Sequence, residues 1–392
     1  MKTLWILFLW ILPVNGLRVY LPSIHSPPPS QTRLFKTNQE DCPHDVKPRM
    51  TGGHEKKLKA NKHDYEVNTL THFNTSNTTT IPEKIHELFR LTRLQDHFLP
   101  TSLLAFMGAY VTHPYQWREW ILQPAFWTSY IITMCITMAS MVINDIYDME
   151  VDIVNSPHRP LVKGTVTVNE AKILSRSLYH LAIFLGVFHL PYHVLPFWVT
   201  SVVCTYLYTP VFKKITFIKN VTCALVVALT IPFMGLSVSN TPVYNVMVEA
   251  PWMFLTSHTT FMSSLYVEIL LDILDKHGDQ EANIRTLPVI FGINITLVLL
   301  SIILGMENYS AILFGAMNRD PWMIVATSLI YLPFYKNLRL IGASSNAKIH
   351  RDKSALVTTV RKSIKYTTIQ MILYFLLVIL RTASTANNFT LL

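Results

Sequence analysis

The chain has 392 residues, of which 50% are hydrophobic and only 15% charged. That balance excludes an ordinary soluble domain and points to a chain crossing a membrane several times. A formal charge of +9 suits loops beside anionic lipid headgroups; the basic residues are scattered and form no stripe, which speaks against nucleic acid as a partner. Of the four cysteines, Cys42, Cys135, Cys204 and Cys223, the last three lie in apolar runs without CxxC spacing, so neither zinc nor a disulfide framework is expected.

In chain order, residues 1–16 have the form of a signal sequence: Lys2, an apolar core from Leu4 to Val14, and a small-residue end, too short for an ordinary transmembrane helix. Residues 17–80 are polar, with Pro27-Pro28-Pro29 and the basic cluster Lys56, Lys57, Lys59 and Lys62; they cannot bury a core, and a disordered targeting or linker region is expected. A signal sequence followed by a basic, hydroxylated stretch is analogous to the two-part address of proteins sent to plastids bounded by extra membranes, with an endomembrane as the alternative. Acids within the stretch, among them Glu40, Asp41 and Glu55, weaken the plastid address. Residues 81–392 form one membrane domain. Its nine expected transmembrane helices lie near 97–113, 120–143, 172–190, 193–211, 217–239, 251–271, 287–305, 320–338 and 364–382, the seventh-to-eighth junction falling near Glu307 to Pro321. Lys and Arg concentrate in the 2–3, 4–5, 6–7 and 8–9 connections, which places these on one face, cytosolic or stromal, and the C-terminus opposite.

Two of these connections carry unusual chemistry. At the end of the second span stand Asn144, Asp145, Asp148 and Asp152, then Pro157, His158, Arg159, Pro160, Lys163 and Gly164. Asp145, Asp148 and Asp152 are three and four residues apart, so on a helix they share one face. Asp272, Asp275 and Asp279 repeat that spacing at the end of the sixth span, followed by Arg285, Thr286, Leu287, Pro288 and Gly292. Carboxylates at membrane helix ends are costly, and an all-oxygen cluster suits Mg²⁺, which commonly bridges carboxylates to a substrate phosphate. The cationic turns after the acids suit anionic oxygens. Recurrence of the arrangement four spans apart is a weak internal repeat, and two such halves would face one another across a central cavity.

The first stretch resembles the N-D-x-x-D-x-x-x-D…R-P-x-x-x-G motif of UbiA-type intramembrane prenyltransferases, and the second their D-x-x-D-x-x-x-D…I-R-T-L-P-V-x-x-G motif. The segment Tyr206, Tyr208, Thr209, Pro210, Lys213 and Asn220 is similar to the family's Y-[ST]-P…K…N segment. The resemblance covers roughly Glu83 to Leu380 and implies an all-α, UbiA-like bundle around a central cavity. It implies transfer of a prenyl group from an allylic prenyl diphosphate to a lipophilic acceptor, with Mg²⁺-assisted departure of diphosphate. It assigns Asn144, Asp145, Asp148 and Asp152 to one metal site and Asp272, Asp275 and Asp279 to the other, with Asp145, Asp148, Asp272 and Asp275 as the catalytic acids. Arg159, Lys163 and Lys213 are assigned to the diphosphate, and Tyr208 to the diphosphate or allyl group. Asn283 departs from the family's usual Gly.

Other readings of single residues stand beside these. Asn144 also fits a helix cap, Arg159 a headgroup anchor, and Tyr208 an interfacial aromatic. Lys214 and Lys219 read as positive-inside residues rather than ligands, and Arg93, Asp96 and His97 read either as acceptor-selecting or as interfacial groups. The motif form resembles the branch with chlorophyll synthases and archaeal-type lipid prenyltransferases, leaving aromatic, tetrapyrrole and glycerolipid acceptors open. A UbiA-type terpene cyclase, and a non-enzymatic transporter or cation-binding scaffold, are the alternative functions.

Overall fold

The computed structural model describes residues 80–239, 246, 250–281, 284–346 and 353–389. The expected signal sequence 1–16, residues 17–79 of the linker and the Asn283 turn lie outside them. Among the described residues the protein is entirely helical: α1 (Ile81–Leu91), α2 (Leu94–Thr112), α3 (Trp117–Trp120), α4 (Pro124–Tyr147), α5 (Met149–Asn155), α6 (Pro160–Lys163), α7 (Val168–His189), α8 (Leu195–Tyr208), α9 (Ile218–Ser237), α10 (Pro251–Glu281), α11 (Leu287–Ile290), α12 (Gly292–Met317), α13 (Pro321–Asn346) and α14 (Lys353–Phe389). Each of the nine expected segments falls mainly on one of the longer helices. Among the described residues, five helices are long and apolar enough to cross a membrane: α4, α7, α9, α12 and the Ala355–Ala383 part of α14. Of the others, α8 has only 14 residues, roughly 21 Å of rise against a hydrocarbon core of about 30 Å. The 31-residue α10 has its hydropathy diluted by the acids it carries.

Local chemistry sets the breaks. Pro124 opens α4 and Pro160 opens α6, positions where the missing N–H costs nothing. A capping box starts α7: Thr167 Oγ1 accepts from the Glu170 backbone N–H at 3.3 Å, and the Glu170 carboxylate accepts from Thr167 N–H at 2.8 Å. Gly164, at φ +70°, ends α6 in the left-handed conformation.

The helices pack around two cores. One joins α2, α4, α7, α8 and α9 through Ala105, Phe126, Tyr179, Trp198 and Ile231, and reaches α10, α12, α13 and α14 through Met253, Ala311, Met323 and Tyr374; a second joins α9, α10, α12, α13 and α14 through Ala224, Tyr266, Leu300, Tyr331 and Ile364. Where α2 crosses α9 the backbones nearly touch: a Cβ on Gly108 would stand 2.5 Å from the Ile231 carbonyl oxygen. Small residues at such crossings allow the close packing that holds helices together in lipid. Large apolar side chains stand exposed along α7, α12 and α13, among them Phe188, Ile295, Val298, Leu329 and Leu332. That surface suits lipid tails.

The seventh-to-eighth junction is shorter than expected: α12 continues past Glu307 to Met317, so the turn is Asn318–Asp320, at the far end of the expected Glu307-to-Pro321 stretch. Glu307 is fully buried inside the bundle, where its carboxylate accepts from Ser263 Oγ at 2.6 Å and Gln370 Nε2 at 3.1 Å. A charge that reads as a boundary in the sequence is a buried clamp between α10, α12 and α14.

Candidate active site

Everything assigned to chemistry gathers at one end of the bundle, with Lys163 on its rim. The first acid triplet does not lie on one continuous helix, as its spacing implied. α4 stops at Tyr147, Asp148 is the joint (φ −91°, ψ 5°), and Asp152 belongs to α5. Arg159, just before α6, brings the separated acids together by donating to Asp145, at 3.1 Å, and to Asp152. Asp145 and Asp152 are only 2% and 5% exposed. A second guanidinium, that of Arg93, also donates to Asp145. Lys213 Nζ reaches both Asp148 oxygens, at 2.6 and 2.7 Å, and Asn144 Oδ1 at 3.3 Å, while Asn144 Nδ2 donates to Asp148 at 2.9 Å. Three carboxylates are thus met by three cations, an arrangement that offsets the cost of their burial.

The second triplet lies on one face of the unbroken α10. Asp272 is 5% exposed and receives Lys219 Nζ on Oδ1 at 2.6 Å and Asn220 Nδ2 on Oδ2 at 3.0 Å. Among the described residues, the one opposite charge in reach of Asp275 is that same Lys219, which also acts on Asp279. Glu268, one turn before Asp272, adds a fourth acid to this face. Tyr208 stands beside Cys223 with Glu268 and Asp272 close by, so it borders the second triplet.

Hydrogen bonds join the connecting segments around the two triplets. Thr216 Oγ1 donates to the Arg285 carbonyl at 2.6 Å, tying the α8–α9 connection to the one after α10. Lys84 of α1 donates to the Thr165 carbonyl at 2.9 Å and pairs with Glu170 at 2.7 Å. The far end holds Arg381 against Asp320 and the Tyr115 hydroxyl on the Thr382 carbonyl. The acid motifs therefore share a face and the end of α14 lies opposite, as charge asymmetry implied. Near α1, burial alone would raise the Glu87 carboxyl, but Arg90, at 2.7 Å, and the Thr165 hydroxyl outweigh it and hold the group below the usual carboxylate range. Lys163 is exposed, and its charged neighbour is Glu87 rather than either triplet.

The fold adds three participants to those the motifs mark: Arg93, which the sequence leaves open between two roles, Lys219, which reads there as a topology signal, and Glu268. Glu268 had a signal, because four residues before Asp272 is the same helix face. The other two have none, since only the fold brings them to their acids. Two strained residues lead into the site as well: Arg93 (φ 50°) opens α2, and Phe217 (φ 67°) precedes α9. Non-glycine residues at positive φ persist where the surrounding structure compels them, and they cluster at functional sites.

Among the described residues no three acid, His or Cys side chains converge as a preformed metal cage; Arg and Lys engage the acids instead. The donor set nonetheless suits a hard divalent cation. It is made of carboxylate and amide oxygens, Asp275 is exposed, and Asn220 Oδ1 is buried without a hydrogen-bond partner.

An all-helical bundle with two acid-bearing helix ends facing basic connections suits the binding of a phosphorylated lipid. Residues 98–358 match the UbiA prenyltransferase family, and the chain belongs to it. The digeranylgeranylglyceryl phosphate synthases of Sulfolobus acidocaldarius and Saccharolobus solfataricus are similar. The first is 30% identical over 213 residues, 54% of this chain and 72% of that protein. The second is 32% identical over 210 residues, 52% of this chain and 70% of that protein. A solved structure of a digeranylgeranylglyceryl phosphate synthase shares the fold at a TM-score of 0.59 and 22% identity, covering 76% of this chain and 98% of that one. The protein is an integral-membrane prenyltransferase, moving a prenyl group from an allylic prenyl diphosphate to a lipophilic acceptor.

Proposed function

We propose that the diphosphate of the donor is held between the two acid-bearing helix ends and that the acceptor is a glycerol-phosphate-type lipid with a free hydroxyl. The observation that carries the first part is the meeting of Asp145, Asp148 and Asp152 with Arg93, Arg159 and Lys213 at the same end as Asp272, Asp275 and Asp279. Asn144, Asp145, Asp148 and Asp152 on one side, and Asp272, Asp275 and Asp279 on the other, would hold Mg²⁺. Bound there, it would neutralise charge developing on the leaving oxygens. Arg159 and Lys213 are positioned to turn from carboxylate to phosphate, and Tyr208 to face the allylic end. Lys163 would serve from the rim. The allylic C–O bond breaks with its electron pair leaving on diphosphate; the acceptor oxygen captures the cation and passes its proton to the released diphosphate. Exclusion of water by the surrounding helices protects the cation.

The acceptor reading draws on the similar proteins, named for a product that carries a glyceryl phosphate head and two geranylgeranyl chains. Aromatic and tetrapyrrole acceptors have no comparable support. All nine longer helices are proposed to span the bilayer, including α2, α8, α10 and α13; the shared fold supports this, with polar site residues explaining the low hydropathy of α10. A plastid address draws no support from archaeal relatives.

Purified protein in detergent, given geranylgeranyl diphosphate with a prenylglyceryl phosphate, an aromatic acid or a chlorophyllide, tests the reading by product mass. Mg²⁺-dependent gain of one prenyl unit on the glyceryl phosphate is expected. Transfer only to an aromatic or tetrapyrrole acceptor would overturn the acceptor assignment, and a cyclic hydrocarbon formed without acceptor would turn the assignment to a cyclase.

A further inference from the structure

The position of Lys219 is locally unfavourable. It lies in the first turn of α9, where the helix dipole disfavours a positive side chain. The residue two places before it, Phe217, is held at φ 67°. The helix start is anchored by Thr216 Oγ1 on the Arg285 carbonyl at 2.6 Å. The outcome is that adjacent residues grip both oxygens of one buried carboxylate: Lys219 Nζ on Asp272 Oδ1 at 2.6 Å and Asn220 Nδ2 on Oδ2 at 3.0 Å. Lys219 is itself 18% exposed, and it faces Glu268, Asp275 and Asp279 besides Asp272. A lysine serving only membrane topology needs none of this; Lys214, five residues earlier, is exposed and serves that purpose.

We infer that Lys219 is an exchangeable internal counter-cation of the second acid site. It occupies Asp272 until the donor arrives, lowers the site's affinity for divalent metal in the meantime, and passes to the donor's diphosphate when metal takes the carboxylate. The inference rests on the diphosphate reading above and deepens it by linking metal capture to donor binding. Lys219 acts on metal through Asp272 and is in that respect a positioning residue. The flexible stem and single charge of lysine suit such an exchange better than the rigid guanidinium fork.

The test is Mn²⁺ binding to the full chain in detergent, followed by the electron paramagnetic resonance signal of free Mn²⁺. It is run for the wild type, Lys219→Gln, Lys219→Arg and the control Lys214→Gln, each checked for monodispersity, with and without geranyl thiodiphosphate, an unreactive donor analogue. Without the analogue, Lys219→Gln is expected to bind Mn²⁺ roughly three- to tenfold more tightly than wild type, the scale of one partly buried ion pair removed from competition. Its affinity for the analogue is expected to fall. Lys219→Arg and Lys214→Gln should retain wild-type metal binding. A merely structural lysine would leave Mn²⁺ affinity unchanged or lowered in Lys219→Gln, and either result overturns the inference while the wild type still binds. If the wild type and every variant bind no Mn²⁺, even with the analogue, the two-sided metal reading falls together with it.

Discussion

The two acid triplets have the same spacing and different surroundings. In the first, Asp145, Asp148 and Asp152 meet Arg93, Arg159 and Lys213, three cations for three carboxylates, with Arg159 shared between Asp145 and Asp152. In the second, Asp272, Asp275, Asp279 and the neighbouring Glu268 share Lys219. The first is interrupted by a helix break at Asp148; the second rides on one continuous helix. Identical spacing therefore does not mean identical electrostatics. A site already neutral attracts a divalent cation weakly until an anion draws its guanidinium and ammonium groups away. A site with acids in excess attracts one without help. On the proposed reading, the first half would serve the anion and the second the metal.

Several substitutions would break or sharpen that difference. The largest effect is expected from Asp148→Ala or Asp275→Ala. Each should lower diphosphate release by at least about a hundredfold, as is common when a group stabilising leaving-group charge is lost. Near-normal turnover in either, with the protein correctly inserted, would contradict the two-sided site. Next comes Arg159→Ala, which leaves Asp152 without its cation in a buried setting. It should cost on the order of 3 kcal/mol of stability and weaken donor binding; thermal unfolding in detergent and a donor titration would measure both. An unaltered unfolding temperature would mean that the Arg159 bridge carries no weight.

Gly108→Val should separate α2 from α9, because its Cβ would stand 2.5 Å from the Ile231 carbonyl oxygen. The strain of overpacking, typically about 1–3 kcal/mol, should appear as a lower unfolding temperature. It should also loosen Arg93 at the head of α2. The smallest effect belongs to Glu87→Gln. Its carboxyl is held below the ordinary value in the folded protein, so its contribution is present above the unfolded carboxylate pKa and is lost as pH falls through the folded one. The variant should be roughly 0.5 kcal/mol less stable near neutral pH, and the gap should close on acidification. A gap that widens at low pH would reverse the sign argued here.

Much of the fold was legible because apolar segments long enough for a bilayer have few alternatives. Each of the nine segments falls mainly on one of the longer helices, and the Lys and Arg bias alone sets Asp148 and Asp272 on one face. The early end expected for the seventh helix, before Glu307, has a definite cause. A lone acid within an apolar run reads as a turn, and only the fold reveals that Ser263 and Gln370 satisfy it. Within the site, Asp145, Asp148, Asp272 and Lys213 were recognisable from spacing and from the family motif. Lys219 and Arg93 were not, since their part depends on strained backbones at Phe217 and Arg93 and on which helix end lies opposite. Lys163 illustrates the converse: a cation near a motif in sequence that lies against Glu87 in space.

The difference between the triplets is tested most directly by counting Mn²⁺ ions per chain at saturation, first alone and then with geranyl thiodiphosphate. The account predicts about one ion without the analogue, lost in Asp275→Asn and retained in Asp148→Asn, and a second ion only when the analogue is present, lost in Asp148→Asn. Two ions bound with equal affinity in the absence of the analogue, or a donor-free ion that depends on Asp148 and not on Asp275, would contradict it.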